Sequence, residues 1–161
     1  MSNRTSLQGS VALVSGANRG IGAAFVSGLL EAGAKRVYAA ARDPQTLTAL
    51  AQSDARVVPI TLDITDDLSV QAAAARLLDV DLLVNNAGVL LGARLIGAAD
   101  LAAARQEMEV NYFGLLRMCR AFAPILAANG GGALINVLSI LARMASLAGG
   151  GYSASKAPHS R

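Results

Sequence analysis

Residues 11–22, V-A-L-V-S-G-A-N-R-G-I-G, constrain the fold of this chain more than any other segment. The first four residues are apolar and partly β-branched, which is typical of a short buried strand. Gly16, Gly20 and Gly22 then follow at a spacing that only a very tight strand-to-helix turn requires. A helix that opens in this way leaves its first backbone N–H groups unpaired, with the positive end of the helix dipole behind them. Such a turn is suited to binding phosphate.

Two interpretations of this turn remain open at this point. As a ligand site, it predicts binding of the pyrophosphate of a dinucleotide. As an ordinary structural turn, it would reflect only that glycine is common here, with 16 glycines in 161 residues. The spacing also departs from the G-x-G-x-x-G fingerprint of the usual dinucleotide fold. The rest of the chain therefore has to decide.

Composition narrows the class of protein. With 53% hydrophobic and 16% charged residues, residues 1–161 are expected to form a single globular domain. The net charge of +3 comes without a basic run or a basic face with aromatics, so nucleic acid is not an expected partner. The lone Cys119 has no partner for a disulfide or a metal site, which favours a reducing compartment. No apolar run reaches membrane-spanning length and the first ten residues lack a signal-peptide core, so we expect a cytoplasmic protein without a membrane partner.

Predicted strands and helices alternate along the chain. Strands are predicted at 11–14, 36–41, 56–62, 80–84 and 133–138, and helices at 21–34, 66–79 and 97–129. Right-handed crossovers between such strands predict an α/β fold, a Rossmann-like doubly wound parallel sheet with strand order 3-2-1-4-5. Pro59 suits an edge strand, and Pro124 is predicted to kink or end the long helix. An apolar stripe is predicted on that helix at Leu101, Met108, Leu115, Met118, Phe122 and Leu126.

The end of the second strand predicts which dinucleotide would bind. Folds of this kind normally place an acidic residue there, on the adenosine ribose. This chain has Ala41 followed by Arg42, and Arg19 lies in the glycine turn on the same side. A small residue beside guanidinium groups leaves room and charge for a 2′-phosphate, which favours NADP(H) over NAD(H). Alternatively, both arginines are solvated surface charges and Asp43 binds the ribose.

Polar residues follow the next strands. Asp63 follows the third strand, and the fourth runs into N-N-A-G at 85–88. Asparagine amides there can tie strand ends together, and Ala-Gly lets a flat ring approach the backbone. Asn111 is a polar amide in an apolar helix, a position that usually has a partner or a role. Ordinary turn chemistry is the alternative for Asp63 and for 85–88.

A candidate proton-transfer site follows the fifth strand. Ser139 is predicted at the carboxyl end of that strand, where open α/β sheets bind ligands. Tyr152 and Lys156, four residues apart, would share one face of a helix. A nearby ammonium favours the phenolate, so Tyr152 could exchange protons with a substrate oxygen that Ser139 also holds. Each residue taken alone also has an ordinary structural interpretation.

In their order along the chain, these motifs resemble the classical short-chain dehydrogenase/reductase family. The glycine turn is similar to the family's T-G-x-x-x-G-I-G, with Ser15 in place of the threonine, and N-N-A-G and Y-x-x-x-K match as well. The resemblance implies hydride transfer between NAD(P)(H) and a small carbonyl or alcohol substrate. It implies a catalytic tetrad of Asn111, Ser139, Tyr152 and Lys156, in which Asn111 orders a water and Lys156 also holds the nicotinamide ribose. The cofactor-binding residues that we predict are Ser15, Gly16, Asn18, Arg19, Gly20, Ile21, Gly22, Arg42, Asp63, Ile64, Asn85, Ala87, Gly88, Tyr152 and Lys156.

One feature departs from the family pattern. Members of the family continue beyond the Tyr–Lys helix with two further strands and a substrate loop, whereas this sequence stops at Arg161. We therefore expect an N-terminal portion of the family fold, with little catalytic activity in residues 1–161 alone. The complete protein is expected to be a homo-oligomer through the long helix, with Leu95, Met108 and Met118 as contact positions. The rival interpretations are a non-catalytic nucleotide-binding or sensor module and a purely structural oligomerisation piece.

Overall fold

Five parallel strands form one sheet in the computed structural model, which describes residues 7–93, 95–96, 99–144 and 149–157. Their order is β3-β2-β1-β4-β5, which confirms the predicted topology. Each predicted strand is present, although β3 to β5 are shorter than the sequence indicated. The strands are β1 Val11–Ser15, β2 Arg36–Ala41, β3 Val57–Thr61, β4 Leu82–Asn85 and β5 Ala133–Asn136.

Helices connect the strands and cover both faces of the sheet. They are α1 Gly20–Glu31, α2 Thr48–Ser53, α3 Asp67–Arg76, α4 Ala102–Met108, α5 Leu115–Ala128 and α6 Gly150–Ser155. A π-helical turn, Glu109–Gly114, joins α4 to α5. Two short 3-10 turns lie at Pro44–Leu47 and Ile140–Ala142.

The core consists of two apolar layers, one on each face of the sheet. Successive residues of a strand point to opposite faces, so Leu13 enters one layer and Val14 the other. Phe122 of α5 is fully buried in the first layer, and Val26 of α1 is fully buried in the second. Fully burying a side chain of this kind stabilises the fold by about 1.5–3 kcal/mol. The two layers hold the strand ends in place, and the candidate site is built on those ends.

The long helical region differs from the predicted one. Helix α4 begins at Ala102, after the half-exposed Leu101, so the predicted stripe does not extend to that residue. Pro124 lies inside α5, which continues to Ala128. Of the two predicted effects of this proline, ending the helix is therefore wrong, and a kink stays a prediction. Met118 is fully buried against the sheet and cannot contact another subunit. Met118 is therefore removed from the expected contact positions, and the homo-oligomer itself stays a prediction.

The outer strand β5 is less covered than the others. Leu134 and Ile135 point to opposite faces, yet they are 37% and 38% exposed. The described helices therefore leave both faces of the sheet partly open at this edge.

Within the described part of the chain, no helix is both long enough and apolar enough to cross a bilayer.

Candidate active site

The glycine turn between β1 and α1 has the geometry that its spacing predicts. Gly16 and Gly20 have φ angles of +65° and +54°, a region that favours glycine. A Cβ on Gly16 would lie 2.9 Å from the Ala87 Cα, and a Cβ on Gly22 would overlap the Gly16 carbonyl oxygen. Helix α1 begins at Gly20 without a side-chain cap. Its first N–H groups therefore face a turn with no room for side chains, as a phosphate site requires.

Ser15 and Asn86 lock this turn to the end of β4. The Ser15 hydroxyl oxygen accepts hydrogen bonds from the backbone N–H groups of Asn86 and Ala87, both at 3.1 Å. The Asn86 amide donates to the carbonyl oxygens of Ser15 and Gly16 at 3.1 and 3.0 Å. The expectation that the asparagine amides of 85–88 tie strand ends together is confirmed at Asn86. Asn86 also lines the cleft, although it is not among the predicted cofactor-binding residues.

Asn85 has a different position from the one expected of a cofactor ligand. Its amide donates to the Asn136 side-chain oxygen at 2.9 Å and to the Cys119 sulfur at 3.4 Å. These contacts tie β4 to β5 below the cleft, as the amide chemistry predicted. Asn85 is buried and does not line the cleft itself.

A cleft of about 850 Å³ runs along the carboxyl ends of β1 to β4. It is lined by most of the predicted cofactor-binding residues, namely Ser15, Gly16, Asn18, Arg19, Gly20, Ile21, Gly22, Arg42, Asp63, Ile64, Ala87 and Gly88. Further lining residues that the sequence did not indicate include Thr46, Val89 and Gln106. The cleft is large enough for a dinucleotide, since ligand pockets commonly measure roughly 300–1,000 Å³.

One end of the cleft is basic. Arg19 and Arg42 are exposed, and neither forms an ion pair within 4.0 Å among the described residues. Ala41, the last residue of β2, is buried and lines the cleft beside Arg42. The Asp43 carboxylate accepts a hydrogen bond from the Gln45 N–H at 2.9 Å and so caps a 3-10 turn. Asp43 also lines the cleft and its Oδ2 is not used in this bond, so the alternative that Asp43 binds the ribose stays open.

Asp63 is one of two acidic residues that line the cleft in the described part of the chain, together with Asp43. Its Oδ1 accepts hydrogen bonds from the Thr65 N–H and hydroxyl at 2.9 and 2.7 Å. Burial raises the pKa of Asp63, but these two bonds and the positive charge of Arg42 outweigh it and leave the pKa lowered. The carboxylate is therefore ionised at neutral pH and available to accept a further hydrogen bond.

Asn111 joins three segments beneath the inner end of the cleft. It lies in the π-helical turn and is 1% exposed. Its Oδ1 accepts from the Val89 N–H at 2.8 Å, and its Nδ2 donates to the Val89 carbonyl at 2.8 Å and to the Ser155 hydroxyl at 2.9 Å. The Ser155 hydroxyl donates in turn to the Tyr152 carbonyl at 2.8 Å. Both N–H donors of the Asn111 amide are therefore engaged within the protein.

Ser155 is a site residue that sequence reasoning missed. It is fully buried and is the link between Asn111 and the helix that carries Tyr152. The available signal was its position in S-A-S-K, directly before Lys156. A small hydroxyl residue inside a short helix competes with the helical backbone, so its presence there points to such a link.

Lys156 follows α6 and lies behind the cleft wall at Gly88, without lining the cleft itself. Its backbone N–H donates to the Tyr152 carbonyl at 3.0 Å, so the two residues are one helical turn apart as predicted. Its Nζ donates to the Val137 carbonyl at 3.0 Å, and burial lowers the pKa of this ammonium. A Cβ on Gly88 would lie 3.1 Å from Lys156 Nζ and 3.0 Å from Asn111 Oδ1. The cleft wall at Gly88 thus touches two of the predicted catalytic residues.

Ser139 and Tyr152, the other two predicted catalytic residues, lie outside the lining of the cleft. β5 ends at Asn136, so the prediction that Ser139 ends this strand is wrong by three residues. The Ser139 hydroxyl oxygen accepts from the Leu141 N–H at 3.2 Å and caps the 3-10 turn that follows. Tyr152 is half-buried in α6, beside Gly151. Neither residue lines the cleft among the described residues.

Comparison with known proteins agrees with this geometry. Residues 10–159 match the family model of the short chain dehydrogenases. A short chain dehydrogenase from Burkholderia cenocepacia, solved in complex with NADP, is 51% identical with a TM-score of 0.88; the match covers 94% of this chain and 62% of that one. A curated relative, the 3-ketodihydrosphingosine reductase of Bacteroides thetaiotaomicron, is 32% identical. The NADP-dependent 3-hydroxy acid dehydrogenase of Schizosaccharomyces pombe is 29% identical.

The chain matches only part of the length of these relatives. It covers 54% of the Bacteroides reductase and 61% of the Schizosaccharomyces dehydrogenase, while 93% of the chain itself is matched in each case. The matched region contains the glycine turn, the 85–88 segment and the Tyr152 helix in one continuous alignment range. The chain therefore belongs to the short chain dehydrogenase family of NAD(P)-dependent oxidoreductases.

Proposed function

We propose that this protein interconverts a small carbonyl compound and the corresponding alcohol, with NADP(H) as the hydride carrier. The observation that carries the proposal is the contact at Gly88. There the wall of the dinucleotide-sized cleft meets Lys156 Nζ and Asn111 Oδ1. Two polar groups, both more than nine-tenths buried, converge on the inner end of a cleft whose outer end is built for phosphate.

The cleft residues fit the parts of a dinucleotide. The uncapped start of α1 and the crowded turn at Gly16 and Gly22 suit the pyrophosphate. The ionised Asp63 suits the adenine amino group, as in the family that the chain resembles. The small surface at Ala87 and Gly88 leaves room for the nicotinamide, which supplies or accepts the hydride when it is bound.

Arg19 and Arg42 support NADP(H) as the preferred cofactor. Both guanidinium groups lie at the same end of the cleft and no described carboxylate pairs with them. A planar guanidinium makes charge-assisted hydrogen bonds to phosphate and would hold the 2′-phosphate, which NAD(H) lacks. The related Burkholderia structure contains NADP, in line with this assignment.

The reaction requires a proton at the substrate oxygen, and Tyr152 is the proposed acid or base. The Tyr152 hydroxyl would give a proton to the carbonyl oxygen during reduction and take one from the alcohol during oxidation. Lys156, as an ammonium one helical turn away, favours the phenolate and would hold the nicotinamide ribose. Ser139 is proposed to hold the same substrate oxygen through its hydroxyl.

A coupled binding and turnover measurement tests the proposal. On the complete protein, NADPH fluorescence titration should show saturable binding, and adding aldehydes or ketones from a panel of small carbonyl compounds should cause NADPH oxidation, whereas residues 1–161 alone are expected to show little turnover. The rival function, a nucleotide-binding module without catalysis, predicts binding without oxidation by any carbonyl compound. Absence of NADPH binding would contradict both functions.

A further inference from the structure

Glu107 is a buried carboxylate that the proposed reaction does not use. It lies in the last turns of α4 and is 0% exposed. Acidic side chains are almost never fully buried unless they are paired, because removing a charge from water is costly. No Lys or Arg forms an ion pair with Glu107 among the described residues. Its burial therefore needs an explanation in the contacts of its two oxygens.

The two carboxylate oxygens face different segments of the site. Oε1 accepts a hydrogen bond from the Leu91 N–H at 2.7 Å. Oε2 is buried and has no hydrogen-bond partner among the described residues. A Cβ built on Gly151 would lie 2.5 Å from this oxygen and 3.1 Å from the Ala93 Cβ. Oε2 thus rests against the backbone of the residue directly before Tyr152.

The Glu107 contacts run parallel to those of Asn111. Glu107 and Asn111 are four residues apart, so they lie on one side of the same helical segment. Asn111 binds Val89, two residues before the Leu91 that Glu107 binds. Asn111 also contacts Ser155, four residues after the Gly151 that meets Glu107.

Two parallel sets of contacts therefore connect the same three segments. One set passes through Glu107 and the other through Asn111, and each joins the α4 region to the 89–91 segment and to α6. Val89 and Leu91 both line the cleft. Tyr152 lies in the helical turn between the two contacts on α6, so the two sets together fix its position relative to the cleft.

We infer that Glu107 is a positioning residue, which holds the first turn of α6 and hence Tyr152 at a fixed distance from the cleft wall at Leu91. The inference rests on the proposed function of Tyr152. Its physical basis is the geometric sensitivity of catalysis, in which an error of about 1 Å can cost on the order of 10²-fold in rate. Because the six-residue helix α6 is too short to be stable alone, its placement depends on such contacts.

Two substitutions separate positioning from general stability. Glu107→Leu removes both oxygens and leaves the Leu91 N–H without its acceptor, whereas Glu107→Gln keeps an acceptor of the same size and reach. The matched control is Asp81→Leu. The Asp81 Oδ1 also accepts one backbone N–H, that of Val11 at 3.0 Å, but at the amino-terminal ends of the strands, away from the cleft.

Three measurements are made on the complete parent protein and on its variants. They are kcat for NADPH-dependent carbonyl reduction, the NADPH dissociation constant, and amide hydrogen exchange in the 89–93 and 149–157 segments. Glu107→Leu should lower kcat roughly 30- to 100-fold, change NADPH affinity less than about threefold and speed exchange in both segments about tenfold. Glu107→Gln should restore kcat to within about threefold of the parent, and Asp81→Leu should leave kcat and exchange in these segments unchanged.

Several results would overturn the inference. A kcat for Glu107→Leu within threefold of that for Asp81→Leu would show that Glu107 positions nothing, and an equal loss in Glu107→Gln would exclude the acceptor role. If Glu107→Leu does not fold, the same measurements are made on Glu107→Asp, whose shorter side chain withdraws the acceptor from the Leu91 N–H. Unchanged kcat and unchanged hydrogen exchange in Glu107→Asp would then refute the inference. If the parent binds NADPH but reduces no carbonyl, the proposed function fails, and the exchange data alone test the positioning.

Discussion

Gly22 and Asn86 illustrate why single residues decide the phosphate turn. Gly22 lets its own helix approach the Gly16 carbonyl, and Asn86 holds that carbonyl from β4. The spacing of the glycines predicted the first contact because only glycine fits a turn this tight. The second joins residues 70 positions apart in the chain, so N-N-A-G predicted a tie between strand ends but not the carbonyl that Asn86 binds.

Substitution of two glycines in α1 should have opposite effects. Gly22→Ala would place a methyl group against the Gly16 carbonyl and the Asn86 amide, so we expect it to cost about 1–3 kcal/mol of unfolding free energy and to weaken NADPH binding. Gly28→Ala meets nothing within 4 Å and should stabilise the same helix by about 0.5–1 kcal/mol. Urea unfolding and NADPH titration measure both. Equal stability of the two variants would contradict the close approach at Gly22.

Reversing the charge of Arg42 should reverse or abolish the preference for NADPH. Losing a charge-assisted contact to the 2′-phosphate costs about 1.5–3 kcal/mol, which corresponds to roughly 10- to 150-fold in affinity. The control is Arg120→Asp, an equal charge change at an exposed residue of α5 outside the cleft. Fluorescence titration with NADPH and NADH gives the ratio. If the parent protein bound both cofactors equally, the role given to Arg42 would be wrong.

Helix α6 and strand β5 depend on each other through Lys156. Its Nζ donates to the Val137 carbonyl just beyond the strand, and the residue is only 5% exposed. No carboxylate among the described residues forms an ion pair with this ammonium. Burying this ammonium at the inner end of the cleft therefore lowers the folding stability, and the lowered pKa of Lys156 has the same cause.

This cost should be visible in the pH dependence of stability. Between the lowered pKa of the folded state and the ordinary value of 10.5, the unfolded chain binds more protons, so parental stability rises with pH. Lys156→Met has no such group. We therefore expect its unfolding free energy, relative to that of the parent, to fall as the pH rises from about 7 to about 10. Urea unfolding across this range measures it, and a difference independent of pH would contradict the burial of the ammonium.

The sequence predicted the strands better than the helices around the site. Apolar runs bounded by turn residues indicated all five strands and their order, because buried parallel strands depend on local composition. Pro124 does not end α5, since its missing N–H costs little on the exposed side of a packed helix. Glu107 and Ser155 were not identified because their contacts join α4 and α6, which only the folded chain brings together.

The site as a whole lies between β1 and β4, where the crossover connections reverse their direction across the sheet. With strand order 3-2-1-4-5, the crossovers from β1 run towards β3 on one side and towards β5 on the other, and ligands bind at such a switch point. The cleft begins at the glycine turn on β1 and passes Gly88 after β4. Tyr152 and Lys156 approach it from α6, so the proposed cofactor site and the proposed proton donor meet only through the tertiary fold.

The most direct test of the proposed mechanism is the substitution Tyr152→Phe. It removes the hydroxyl that would move the proton while keeping the ring that packs in α6. Turnover with NADPH and the best carbonyl substrate should fall by about 10²- to 10⁴-fold, the range typical of general acid–base groups, while the NADPH dissociation constant stays within about threefold of the parent value. A Tyr152→Phe protein that retained most of its turnover would contradict the account.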